Sequence, residues 1–142
     1  MKAERCVVDT NVLISALLQP SGRTAEVLEA VRADGVLVFS DETFAELASR
    51  LMQPKFDRYV DPGLRQRFLS DLAAVAEWVA IAGVVHGCRD VDDDKFLETA
   101  INAEADCIVT GDADLLALDP FNRLRILTPS DFLEAVGSVG RE

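Results

Sequence analysis

The feature that most constrains the fold of this chain is a short apolar strand that stops at a carboxylate and leads into a helix. The pattern occurs twice: residues 6–8 precede Asp9, and residues 107–110 precede Asp112 after one intervening glycine. In open parallel α/β sheets, ligands bind at the carboxyl ends of the strands. Helix capping explains one such aspartate. Two aspartates at strand ends, about a hundred residues apart in sequence, indicate that this edge of the sheet carries a function.

Apolar strands alternate with amphipathic helices along the sequence, an order that is typical of right-handed βαβ units with helices on both faces. The predicted fold class is α/β, with a three-layer α/β/α arrangement around a central, mostly parallel sheet of about five strands. If the first and fourth strands are neighbours, their carboxyl ends flank a topological switch point. The further predicted strands are Val36–Phe39, residues 79–82 and Arg125–Leu127, and a long helix is predicted over residues 64–79.

Length and composition predict one domain over residues 1–142, with residues 137–142 as a frayed tail. The chain has 142 residues, of which 49% are hydrophobic, enough for one substantial core. No apolar stretch approaches the roughly 18 residues of a membrane span, and Asp9 interrupts the first apolar run too early for a signal peptide. Three widely spaced cysteines predict neither a disulfide framework nor a zinc site. We therefore expect a cytoplasmic protein without membrane association.

The net charge of −11, from 25 acidic and 14 basic residues, argues against broad adhesion to nucleic acid through a basic face. It does not exclude a nuclease, because cations held by a carboxylate site cancel charge where the substrate phosphate approaches. His86 is the only histidine. We interpret it as incidental and discount nucleophile schemes that pair serine or cysteine with histidine.

Carboxylates are the candidate functional groups. Asp9 and Asp112 end strands, Asp94 begins a helix whose amino end favours an ionised carboxylate, and Glu46 projects from the helix after the second strand. Judged alone, Glu46 is better explained as an exposed residue on a helix surface. Asp114, two residues after Asp112, is a fifth candidate.

Carboxylates a few Å apart repel one another unless protons or a cation are present. Ligation by oxygen alone suits Mg²⁺ or Mn²⁺ rather than zinc. One or two such ions would activate water and stabilise the charge of a phosphodiester displacement. The hydroxyl of Thr110 and the amide of Asn11 are expected to support the carboxylates by hydrogen bonds.

These motifs, in this order, resemble the PIN domain family, and in particular the bacterial and archaeal PIN proteins, similar to VapC, that form the toxin of toxin–antitoxin pairs. The resemblance covers nearly the whole chain. The segments that carry it are residues 8–15, 46–47, 92–100, 105–116 and 128–133.

The resemblance implies a Mg²⁺- or Mn²⁺-dependent ribonuclease that cleaves single-stranded RNA. It also implies a homodimeric toxin of a type II pair, neutralised by an antitoxin protein, although PIN domains occur in RNA-processing enzymes too. Asp93 competes with Asp94 for the third acidic position, and Asp94 is preferred for its spacing from the following apolar residues. The implied catalytic and metal-binding residues are Asp9, Glu46, Asp94 and Asp112, with Asp114 as an auxiliary metal ligand.

Two other functions remain open from the residues. A haloacid-dehalogenase-like phosphatase also places an aspartate after its first strand, but Asn11 stands where that family has its second aspartate, and the spacing of the last motif differs. A non-catalytic, receiver-like module would bind a metal or a partner in an acidic pocket without turnover.

Overall fold

A five-stranded sheet in the order β3-β2-β1-β4-β5 forms the centre of the protein in this computed structural model, which describes residues 1–140, with side chains for residues 1–137. Every strand pairing is parallel, which confirms the predicted fold class. The strands are β1 (Arg5–Val8), β2 (Val36–Phe39), β3 (Glu77–Trp78), β4 (Cys107–Val109) and β5 (Arg125–Leu127).

Helices cover both faces of the sheet because successive residues of the central strands point to opposite sides. In β1, Cys6 and Val8 pack into one hydrophobic cluster and Val7 into the other. The first cluster lies under α1, α2, α3, α4 and α7, and the second under α5 and α6. The helices are α1 (Thr10–Leu18), α2 (Arg23–Asp34), α3 (Asp41–Leu51), α4 (Pro62–Val75), α5 (Asp94–Asn102), α6 (Ala113–Leu116) and α7 (Pro129–Gly140), with 3₁₀ turns at Pro54–Phe56 and Val91–Asp93.

The first and fourth strands are neighbours, as the switch-point hypothesis requires. β1 pairs with β4 in a register that sets Cys6 beside Cys107 and Val8 beside Val109. The chain builds the sheet outward from β1 to β2 and β3, and then continues on the other side with β4 and β5. A crevice is therefore expected where the carboxyl ends of β1 and β4 meet, immediately before Asp9.

The prediction of a strand at residues 79–82 was wrong in its position. The preceding helix ends at Val75, and the third strand is Glu77–Trp78. The amide N–H groups of residues 82–85 are not available for a strand ladder, because they donate to the buried carboxylate of Glu98 on α5. This tertiary contact holds residues 82–85 in a loop.

The carboxyl terminus continues the last helix through Gly140. The tail predicted to fray from Gly137 lies within α7 as far as that residue, and residues 141–142 lie outside the described part of the chain. Within residues 1–140, every helix is too short or too polar to cross a lipid bilayer.

Gly35 is expected to be essential where α2 returns to the sheet. A β-carbon there would lie 2.5 Å from the carbonyl oxygen of Ala3 and 2.8 Å from that of Glu4, and backbone atoms cannot swing aside. We expect Gly35→Ala to lower the free energy of unfolding by about 1–3 kcal/mol, the usual cost of overpacking. Urea denaturation measures this change.

Gly137→Ala is the matched control, because no heavy atom lies within 4 Å of a β-carbon built there. Alanine has the higher helix propensity, so this variant should be as stable as the wild type or slightly more so. Equal stability of the two variants would show that Gly35 is not in close contact with the carbonyl groups of Ala3 and Glu4.

Candidate active site

Asp9 opens the site at the end of β1. Its amide donates to the carbonyl oxygen of Val109 at 2.9 Å, which continues the β1–β4 ladder by one residue. Its buried carboxylate accepts a hydrogen bond of 2.6 Å from the hydroxyl of Thr110. Burial raises the pKa of Asp9, the Thr110 hydrogen bond opposes this, and the charges of Glu46 and Asp112 raise the pKa further. Asp9 is therefore close enough to Glu46 and Asp112 for electrostatic repulsion among the three carboxylates.

Thr110 connects Asp9 to the next carboxylate. While its hydroxyl donates to Asp9, the same oxygen accepts the amide of Asp112 at 2.9 Å. Asp112 in turn accepts the amide of Asp114 at 2.8 Å, which caps the short helix α6. The backbone turn after β4 thus fixes Asp112 and Asp114 relative to Asp9.

Asp93, Asp112 and Asp114 form the tightest acidic group, here called the aspartate cluster. Each offers a carboxylate oxygen, and the three oxygens lie within 4.8 Å of one another. Oδ2 of Asp93 is buried, and no described residue donates a hydrogen bond to it. Burial and the charge of Asp112 raise the pKa of Asp93 to about 7. An unsatisfied buried oxygen among carboxylates is a fitting donor set for a hard divalent cation.

Asp94 is not part of the aspartate cluster, although it is adjacent to Asp93 in sequence. Its Oδ1 accepts the amide of Cys88 at 2.9 Å, and its Oδ2 lies 3.4 Å from Nδ1 of His86. Burial would raise the pKa of Asp94, but hydrogen bonds led by the Cys88 amide outweigh it and lower the pKa. Asp94 therefore fastens the preceding loop to the start of α5, and the exposed ring of His86 rests against it.

Glu46 lies on the α3 side of the site and already has several partners. Its Oε2 accepts the hydroxyl of Thr10 at 2.6 Å, and its Oε1 lies 2.9 Å from Nζ of Lys95 and 3.5 Å from the guanidinium of Arg50. Burial would raise the pKa of Glu46, but the contacts with Lys95 and Thr10 outweigh it and lower the pKa. Glu46 is thus an ionised carboxylate whose charge is balanced by the protein itself.

Some supporting residues were not identified from the sequence. Asn11, predicted to assist the carboxylates, is exposed on α1, whereas its neighbour Thr10 is buried and bonds to Glu46. Glu98 is also buried, and its carboxylate accepts four consecutive amides of the loop that leads to Asp93. The signal that was available is spacing: Glu98 follows Asp94 by four residues, on the buried face of an amphipathic helix.

Comparisons with known proteins agree with this architecture. The family model of the PIN domain matches residues 5–114. An uncharacterized protein of Methanocaldococcus jannaschii, MJ1680, is 32% identical, with the alignment covering 92% of this chain and 90% of that protein.

Two solved structures share the fold. One is VapBC2 from Rickettsia felis bound to a DNA fragment from its promoter, with 16% identity, a TM-score of 0.58, and coverage of 87% of this chain and 98% of that chain. The other is FitAcB from Neisseria gonorrhoeae, with 22% identity, a TM-score of 0.55, and coverage of 88% and 98%.

The raised pKa of Asp93 predicts how stability depends on pH when divalent ions are absent. An unfolded chain ionises its aspartates near pH 4, whereas folded Asp93 keeps its proton up to about pH 7. The folded state therefore binds the extra proton between these values, and the stability that Asp93 contributes is lost as the pH rises towards and through 7.

The measurement is denaturant unfolding in EDTA between pH 4 and pH 8 for the wild type and Asp93→Asn. Asp93→Asn should lack the part of the loss of stability with rising pH that Asp93 causes. Asp94→Asn is the control, because the lowered pKa of Asp94 gives a contribution that is lost as the pH falls, not as it rises. The same pH dependence in the wild type and Asp93→Asn would contradict the assignment.

Proposed function

This chain belongs to the PIN domain family, and we propose that it is a divalent-metal-dependent endoribonuclease that hydrolyses phosphodiester bonds of single-stranded RNA. The observation that carries the proposal is the meeting of the aspartate cluster with Asp9 at the switch point between β1 and β4. Ligands bind at this position in open α/β sheets. Family membership also argues against the phosphatase, which belongs to a different family.

Mg²⁺ or Mn²⁺ is the proposed cofactor, because every donor of the cluster is a carboxylate oxygen. Asp93, Asp112 and Asp114 would hold the ion, with Asp9 beside them. When bound, such an ion supplies Lewis acidity and lowers the pKa of water. It would also neutralise a site in which the pKa of Asp93 is about 7 and that of Asp9 is raised.

The remaining site residues act on the carboxylates. Thr110 holds Asp9 and Asp112 at a fixed separation through its two hydrogen bonds. Asp94 and Glu98 accept backbone amides of the loop that precedes Asp93, and these hydrogen bonds hold that loop in place. Such supporting contacts orient metal ligands in proteins, and their removal usually costs about 10–100-fold in metal affinity or activity.

We further propose Asp93, rather than Asp94, as the third acidic residue of the catalytic set, and this revises the preference drawn from sequence. Support comes from the unsatisfied Oδ2 of Asp93 and from the partners of Asp94, whose Oδ1 accepts the Cys88 amide and whose Oδ2 lies 3.4 Å from Nδ1 of His86. An unsatisfied buried carboxylate gains most from a cation, whereas Asp94 would have to give up backbone partners.

The test is cleavage of a panel of structured and single-stranded RNAs by the purified protein in Mg²⁺, in Mn²⁺ and in EDTA. Asp9→Asn, Asp93→Asn and Asp112→Asn should each lose more than about 100-fold in rate, since supporting residues alone cost about 10–100-fold. Asp94→Asn should lose less than Asp93→Asn, and the exposed Asp71→Asn on α4 should cut like the wild type.

Circular dichroism is to establish that each variant is folded before its cleavage rate is compared with that of the wild type. Cutting that survives EDTA, or survives in both Asp9→Asn and Asp112→Asn, would identify a contaminant. No cutting by a folded, metal-binding wild type would favour the receiver-like module. A larger loss in Asp94→Asn than in Asp93→Asn would restore the original assignment.

A toxin role in a type II pair is the more specific form of the proposal. It draws on the fold shared with VapBC2 and FitAcB, whose solved structures are complexes of this kind. The partners would then be an antitoxin protein and a second copy of the chain. Three free cysteines, two of them buried, are consistent with the proposed cytoplasmic location.

Induced expression in a bacterial host tests the toxin role. We expect growth arrest with the wild type, and normal growth with Asp112→Asn produced at the same level, because arrest would depend on cleavage. Arrest by both proteins would mean that toxicity is unrelated to the site. Normal growth with an active wild type would favour an RNA-processing nuclease.

A further inference from the structure

Lys95 is a largely buried cation inside an acidic site, and helix stability does not account for it. It is the second residue of α5, where the helix dipole favours anions over cations. Its Nζ lies 2.9 Å from Oε1 of Glu46, on a different helix, and 5.7 Å from the centre of the Phe96 ring. The ion pair therefore joins α3 to α5 across the site.

The site carboxylates are divided into two groups by their partners. Thr10 bonds to one oxygen of Glu46, while Lys95 and Arg50 lie against the other. The aspartate cluster contains an oxygen with no described hydrogen-bond donor. A divalent ion can therefore enter the aspartate cluster without displacing a protein cation, whereas an ion at Glu46 would have to displace Lys95.

We propose that Lys95 supplies, beside Glu46, the positive charge that a second divalent ion would otherwise supply, so that the site holds a single ion at the aspartate cluster. An ammonium and a divalent ion on one carboxylate repel each other, and this repulsion is strong where water is largely excluded. The inference rests on the proposed function, in which the site acts on a phosphodiester. An ammonium keeps the charge that attracts a phosphate and adds N–H donors for its oxygens.

The number of bound ions distinguishes the two arrangements without reference to cleavage. Mn²⁺ is titrated into the full chain and free Mn²⁺ is followed by its electron paramagnetic resonance signal. We expect one ion per chain for the wild type and for Lys95→Arg, which keeps the cation. We expect two for Lys95→Met, because Glu46 then has room for an ion, and one again when Glu46→Gln is added.

Two further variants make the result specific. Lys55→Met removes an exposed lysine and should bind one ion. Arg50 lies close enough to Glu46 to take over from Lys95, so the Lys95→Met/Arg50→Met double variant is titrated as well and should bind two. Unfolding curves establish that each variant is folded.

Two ions in the wild type would overturn the inference, as would one ion in both Lys95→Met and the double variant. In either case metal-dependent cleavage by the wild type would remain, so the proposed nuclease would stand. A wild type that binds no Mn²⁺ and cuts no RNA would overturn both proposals together.

Discussion

Carboxylates collect at the carboxyl ends of β1 and β4, and the fold has to compensate for their mutual repulsion. The parallel register places Asp9 beside the turn that carries Asp112, and the charges of these two residues raise the pKa of their neighbours. Such an arrangement costs stability, because buried carboxylates without partners are unfavourable. The two hydrophobic clusters on either side of the sheet offset that cost.

The protein handles its acidic groups in three physically different ways. Glu98 and Asp94 receive backbone amides, so their charges are stabilised locally and they serve to anchor a loop. Glu46 receives a lysine, and the pair joins two helices. Asp93 receives neither, which leaves it dependent on a proton or a metal ion. Carboxylates whose charge the protein compensates therefore have a structural role, and the uncompensated Asp93 is the candidate for function.

Much of the architecture follows from local sequence patterns. Runs such as Val36–Phe39 are too apolar and β-branched for a surface segment, and they became strands at the predicted positions. Asp9 and Asp112 could be singled out because the end of a strand in a parallel sheet defines an edge. The third strand was misplaced, since residues 79–82 are apolar enough for a strand but the strand is Glu77–Trp78. The distant carboxylate of Glu98, which no local pattern reveals, holds the amides of residues 82–85 in a loop.

The fold class and the edge of the sheet at which the acidic groups collect follow from the sequence alone, because they depend on periodicity and on the order of strands and helices. The family follows from the order of the sequence motifs. The different environments of Asp93 and Asp94 are visible only in the tertiary structure. Both stand at the start of α5, and a loop folded back onto that helix satisfies one and leaves the other open. Likewise, only the packing of α3 against α5 pairs Lys95 with Glu46, since the two are 49 residues apart and no local pattern joins them.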